Sequence, residues 1–296
     1  MRSYLFTLLF LSFFLNLQAQ QIPLNEAVQN RLNQLIIHSD TSIFTGFRGM
    51  NWLELQQLNK LQKTDLIDSA FGISATGNGY FLKNIVTDNW IKLGKNKSVV
   101  TIDPYIEYGG GKTNRKNNAL IGGGAGLRVQ AVINNKFSFD ASFIDNSQQF
   151  PSYIDSVIYN KSNIVPGNNV ATLQKNQRWN YNNGSFNFTY LPSTHFLISA
   201  GYGKQFLGDG YRSLQLSDNS FNYPYVRLQA RFWKLTYNVL YNQYENKLWY
   251  LVNGRSQKKF SVMHELVINV SNKFQFALYD EVTSVSRDTS FNRGFD

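Results

Sequence analysis

Ala119 to Ile133 reads ALIGGGAGLRVQAVI, and its apolar residues recur with a period of two. Ala119, Ile121, Ala125, Leu127, Val129, Ala131 and Ile133 share one face, with Gly123 among them. Gly122, Gly124, Gly126, Arg128 and Gln130 share the other. Strict alternation marks a strand with one apolar face. Asn134-Asn135 then reads as a tight turn. Beyond it Phe137, Phe139, Ala141 and Phe143 alternate with Ser138, Asp140 and Ser142.

The same pattern extends in both directions. Upstream, Val100, Ile102, Pro104, Ile106 and Tyr108 alternate with Thr101, Asp103, Tyr105 and Glu107. Downstream, further strands are predicted around Phe186–Tyr190, Phe196–Tyr202, Val226–Phe232, Trp233–Tyr241, Phe260–Val270 and Phe274–Leu278. His264 is the one polar residue on the apolar face of its strand. Tight turns at 134–135, 192–194, 232–233 and 271–272 alternate with long polar loops at 109–118, about 147–183, 204–223 and about 244–257. Short and long connections in alternation, joining strands of roughly 9 to 13 residues, fit an outer-membrane barrel. Phe137, Phe196, Tyr223, Tyr225, Phe232, Trp233 and Phe274 lie at strand ends, where an interfacial girdle is expected. A soluble sandwich would have shorter strands and more uniform turns.

Composition agrees. The 296 residues include 23 Phe and 17 Tyr, and only 16% are charged, against about 25% in soluble domains. The absence of cysteine excludes a disulfide scaffold, a thiolate zinc site and a cysteine nucleophile. At the N-terminus, Arg2 precedes an apolar run from Tyr4 to Leu15, and Leu17-Gln18-Ala19 supplies a small residue for cleavage. This is signal-peptide anatomy, too short to span a bilayer. Removing residues 1–19 takes away one charge, Arg2, so the formal +10 becomes +9.

After the signal, Leu24, Val28, Leu32, Leu35 and Ile36 show helical spacing, and a second helix is predicted from Asn51 through Leu61. The predicted organisation is a signal peptide over 1–19, a helical plug or periplasmic segment over 20–97, and barrel strands over 98–296. About nine crossings are counted. Bacterial single-chain barrels have even numbers, so either a strand is miscounted or the strands here are part of a larger barrel.

No motif specifies catalysis. Gly109-Gly110-Gly111-Lys112-Thr113 lacks the upstream glycine of a phosphate-binding loop, because Ile106 stands there. The glycines at 122–126 read as small inward residues that leave room for a plug or ligand. His38, His195 and His264 show no metal spacing. Asp145, Asp155 and Asp218 are scattered among loops of ordinary turn composition. No cofactor, metal or nucleic-acid partner is implied. Arg128, Arg227 and Arg231 lie on the polar faces of their strands, and Arg212 sits in the loop before the last two. A cationic lumen or mouth would favour acidic ligands. The alternative is that these arginines pair with Asp and Glu across the interior.

Gly208 to Tyr237 reads GDGYRSLQLSDNSFNYPYVRLQARFWKLTY. This stretch resembles the Wzi-type capsule assembly family of outer-membrane barrels, in its branch linked to gliding-type surface structures. The matching residues are Gly208, Gly210, Arg212, Ser213, Leu214, Leu216, Ser217, Asp218, Tyr223 and Pro224. Thr101-Ile102-Asp103-Pro104 and Lys258-Lys259-Phe260 with His264 add to the likeness. The resemblance implies an 18-stranded barrel of a Gram-negative outer membrane, of which these strands would be the N-terminal half. It also implies a non-enzymatic role, binding acidic surface polysaccharide and helping to anchor it. Arg212 and Asp218, charged residues within the motif, join Arg128, Arg227 and Arg231 as candidate ligand contacts. A saccharide or anion porin and a gliding-motility accessory are the other expectations.

Overall fold

The computed structural model describes residues 46–47, 53–54, 90–95, 98–112, 119–161, 163–208, 213–246, 258–271 and 274–285. The signal peptide, the first predicted helix, nearly all of the second, and Arg212 lie outside the described residues. Eleven strands form one sheet. They are β1 (Ile91–Lys95), β2 (Ser98–Lys112), β3 (Ala119–Ile133), β4 (Phe137–Gln148), β5 (Thr172–Leu173), β6 (Trp179–Tyr190), β7 (Phe196–Gly203), β8 (Tyr223–Phe232), β9 (Leu235–Glu245), β10 (Lys258–Ser271) and β11 (Phe274–Val285). Ten follow one another in chain order as antiparallel neighbours, and β5 pairs with β6 outside that path.

All nine predicted strands are present, and three differences stand out. The sheet begins at Ile91 rather than Ser98, because β1 pairs along β2 from Ile91↔Ile102 to Lys95↔Ser98. This brings the strands on the path to an even number. Strand β2 continues to Lys112, so the glycines at 109–111 belong to a strand. The long connection after β4 contains a helix, α1 (Ser152–Asn160).

The turns set the register. Asn134 and Asn135 have φ of 53° and 52°, the left-handed pair of a tight turn, which Lys136 closes by donating its amide to the Ile133 carbonyl at 3.1 Å. Ile133 then faces Phe137, and Gln130 faces Asp140. At Gly126 a Cβ would fall 1.9 Å from the Phe143 carbonyl oxygen, so glycine lets β3 and β4 approach. Side chains of Gln148 and Asn146 fill the space beside Gly122 and Gly124. The glycine run therefore leaves no free room at those positions, contrary to the sequence expectation.

Burial across the sheet is inverted relative to a soluble β-protein. Phe186, Phe188, Ile198, Val226 and Leu235 are exposed. Their alternates Asn187, Thr189, Ser199, Arg227 and Thr236 are buried. Neighbours show it sharply: Leu228 is 39% exposed and Gln229 only 6%. At the short-turn end Phe137 stacks on Tyr190 at 4.4 Å, and Phe196 meets Phe232 edge-on at 5.3 Å. Trp233 and Phe274 project there as well. Tyr223 and Tyr225 do not join this girdle. They are buried, because the alternation that turns Val226 outward turns Tyr225 inward.

The inward side is packed. Phe47 clusters with Leu207, Leu216, Tyr223, Tyr225, Leu240 and Met263. Leu53, in helical conformation with Glu54, clusters with Val132, Leu191 and Leu197. Ile158 of α1 joins Val165, Ala171, Trp179 and Tyr181. Strands β1 and β11 end the sheet. The inward residues of β10 are buried, whereas Tyr279, Glu281 and Thr283 of β11 are exposed.

Candidate functional site

Two regions carry polar chemistry, the inward face and the long-loop rim. On the inward face Arg128 of β3 bonds Asp140 of β4 at 3.0 Å, and Gln130 reaches the same oxygen at 2.6 Å. On β8 Arg227 is buried, pairs with Glu54 of the N-terminal segment and donates to Gln229 at 2.9 Å. Its guanidinium also lies 5.2 Å from the centre of the Phe47 ring. Glu265 of β10 accepts the Gly46 amide at 3.0 Å and the Asn238 side chain at 2.7 Å. Thus Gly46 is tied to β10 and Glu54 to β8 by buried charged groups. The predicted arginines fall into two groups. Arg128 is satisfied at the β3–β4 pair, and Arg227 and Arg231 project from one face of β8. Arg231 keeps a buried Nε without a partner among the described residues.

At the long-loop end α1 folds over the inward side. Its Asp155 accepts the Trp179 indole N–H at 2.6 Å. Lys204, just past β7, donates to the Gly167 carbonyl at 2.6 Å. Burial pushes the Lys204 amine below a lysine's ordinary pKa, and the nearby Asp218 carboxylate partly offsets this. Asp218 is thereby placed near Lys204 in the loop layer. Asn222 donates to Asn183 and to the Gly184 carbonyl, each at 2.7 Å. These bonds hold the loop after β7 to β6 and to the connection that carries α1.

A cleft of about 430 Å³ opens at this rim between Tyr202, Phe221, Asn222, Gln243, Glu245 and Lys258. Its lining combines aromatic faces, amides, one acid and one amine. No group of three metal-ligating side chains occurs among the described residues. His195 sits in a turn, bonded to the Arg231 carbonyl at 2.9 Å and stacked on Phe232. His264 has its Nδ1 2.7 Å from the Tyr237 hydroxyl on the outward face, which accounts for a polar residue there.

Sequence reasoning missed Glu54 and Glu265 as anchors. Glu265 sits on the face opposite His264 and was legible as inward. Nothing local marks Glu54, whose partner lies on a distant strand. No family model matches the chain, and no curated protein or solved structure matches it.

Proposed function

We propose that this chain is a non-enzymatic protein of a Gram-negative outer membrane, which forms β-barrel wall and binds acidic surface polysaccharide, helping to anchor it. The observation that carries the membrane reading is the inverted burial, with apolar side chains outside and polar ones inside. Its height fits. On β8 the outward apolar run from Phe232 to Pro224 covers roughly 21 Å along the membrane normal at ~3.4 Å per residue and ~40° tilt. On β10 the outward run from Val270 to Phe260, apolar except at His264, covers about 26 Å on the same basis, against a barrel band of about 25 Å. Unpaired backbone in lipid costs several kcal/mol per group, so the reading includes closure: the edges of β1 and β11 find partners in the membrane.

Binding is favoured over conduction by the packed inward side, where Phe47, Leu53 and Glu54 occupy space that a channel would keep wet. The formal charge, +9 without residues 1–19, and the loop motif around Arg212 support an acidic ligand. Arg128 and Arg227 are compensated by carboxylates, and Arg231, whose amide bonds the His195 carbonyl, lies at the short-turn end, so Arg212 in the long loop becomes the arginine for that ligand. Planar-bilayer recording of the full chain tests the choice. Electrical silence together with uronic-acid glycan binding, weakened in Arg212→Ala and unchanged in Arg231→Ala, is expected. Steady open current, or glycan binding unchanged in Arg212→Ala, would overturn it.

A further inference from the structure

Near the long-loop rim the outward apolar face of four adjacent strands ends, within one register pair of the same level. On β8 it ends at Pro224, on β9 between Tyr241 and Gln243, and on β10 between Phe260 and Lys258. On β7 the outermost outward residue is Tyr202, whose register partner is Pro224. Gln243 pairs with Phe260, and Glu245 with Lys258, so these positions form a continuous row. The rim cleft is built on that row, with Phe221 and Asn222 arching over it from the loop before β8. Tyr202, Pro224, Gln243, Glu245 and Lys258 come to it from the outward face, and Tyr223 and Tyr244, which turn inward, also line it, so the cleft sits at the top of the wall where the outward apolar band ends.

We infer that this cleft seats the sugar headgroup of a membrane glycolipid, with Lys258 taking a phosphate on that sugar. The inference rests on the membrane reading. A ligand reaching the cleft shares the membrane surface with it, since the wall below is apolar over Val226, Tyr241 and Val262. The lining suits a phosphorylated saccharide. Tyr202 and Phe221 offer ring faces, Gln243 bonds hydroxyls, and Lys258 offers a cation. Asn222 spends its amide N–H groups on Asn183 and Gly184, which leaves its carbonyl oxygen as an acceptor. The volume of about 430 Å³ lies within the ordinary range of small-ligand sites, about 300 to 1,000 Å³.

The test uses the full chain in nanodiscs of phosphatidylglycerol, with or without a minor fraction of lipid A bearing a core oligosaccharide. Native mass spectrometry reads the retained glycolipid. Retention by the wild type and a fall of about 30-fold or more in Gln243→Ala/Lys258→Ala are expected, from the loss of one charge-assisted and one neutral hydrogen bond. Lys161→Ala, at the far end of α1, serves as the control and keeps full retention. Undiminished retention in the double variant overturns the inference, as does equal displacement by phosphatidylglycerol. Equal affinity for the deacylated core sugar in solution overturns the membrane source. A chain that inserts but holds no glycolipid defeats this inference alone, whereas a chain that never inserts defeats the membrane reading.

Discussion

Leu228→Arg distinguishes a lipid-facing sheet from a soluble one by the size of its effect. Leu228 stands at mid-height on β8, between Phe232 at the turn end and Pro224 at the rim. It is 39% exposed, and no polar group needs to be removed to replace it. In water, an arginine at so open a position changes stability by no more than about 0.5 kcal/mol. At the middle of a barrel wall in lipid the same change costs about 2 to 4 kcal/mol, because the guanidinium is stripped of water on a face with no counter-ion. That corresponds to about 30- to 1,000-fold in the folded-to-unfolded ratio. Trp233→Arg, in the exposed turn, costs only about 0 to 1 kcal/mol because the interface is wet. The assay is guanidinium unfolding in phosphatidylcholine vesicles, followed by tryptophan fluorescence and gel mobility. Equal midpoints for Leu228→Arg and wild type would refute the reasoning.

Three further results are expected. Glu54→Gln leaves Arg227 buried without its carboxylate and should cost about 3 to 5 kcal/mol, part of it recovered in Glu54→Gln/Arg227→Gln, as read by a double-mutant cycle in the same unfolding assay. Tyr237→Phe removes the partner of His264 and should destabilise by about 0.5 to 1.5 kcal/mol, whereas His264→Phe, which takes a polar ring off the outward face, should be neutral or stabilising; the reverse order would contradict a lipid-facing position. The lowered pKa of Lys204 means that the folded state releases this proton before the unfolded state does. Stability should therefore rise with pH between the folded pKa and a lysine's ordinary value, and be weakened below the folded pKa. This increment should vanish in Lys204→Met when unfolding midpoints are compared across alkaline pH.

Much of the fold is written in local alternation. From Val100 to Leu278 each strand core is readable because an exposed apolar face and a packed polar face force a period of two. The misses have physical causes. Strand β1 is five residues with Gly94 at φ 114°, too short and irregular for its alternation of Ile91 and Leu93 to show. Helix α1 carries Ile154 and Ile158 at helical spacing after Pro151, a readable signal hidden in a loop of polar composition. Tyr223 and Tyr225 misled because aromatics at a strand end suit a girdle, yet the parity of Val226 already assigned them inward. The site was less legible. The register fixed by Asn134 and Asn135 would have brought Arg128 near Asp140. The pairing of Arg227 with Glu54 depends on a segment threading back to a distant strand, and the rim cleft draws its residues from four strands and a loop.

The direct test of the account is side-chain environment along β10, and the lack of cysteine makes single-cysteine labelling clean. A fluorophore placed in turn from Phe260 to Asn269 is exposed to brominated lipid and to aqueous iodide. The account predicts lipid quenching at Phe260, Val262, Leu266 and Ile268, and none at Ser261, Met263, Glu265 and Asn269. Iodide quenching at both sets, with no response to brominated lipid, would contradict it.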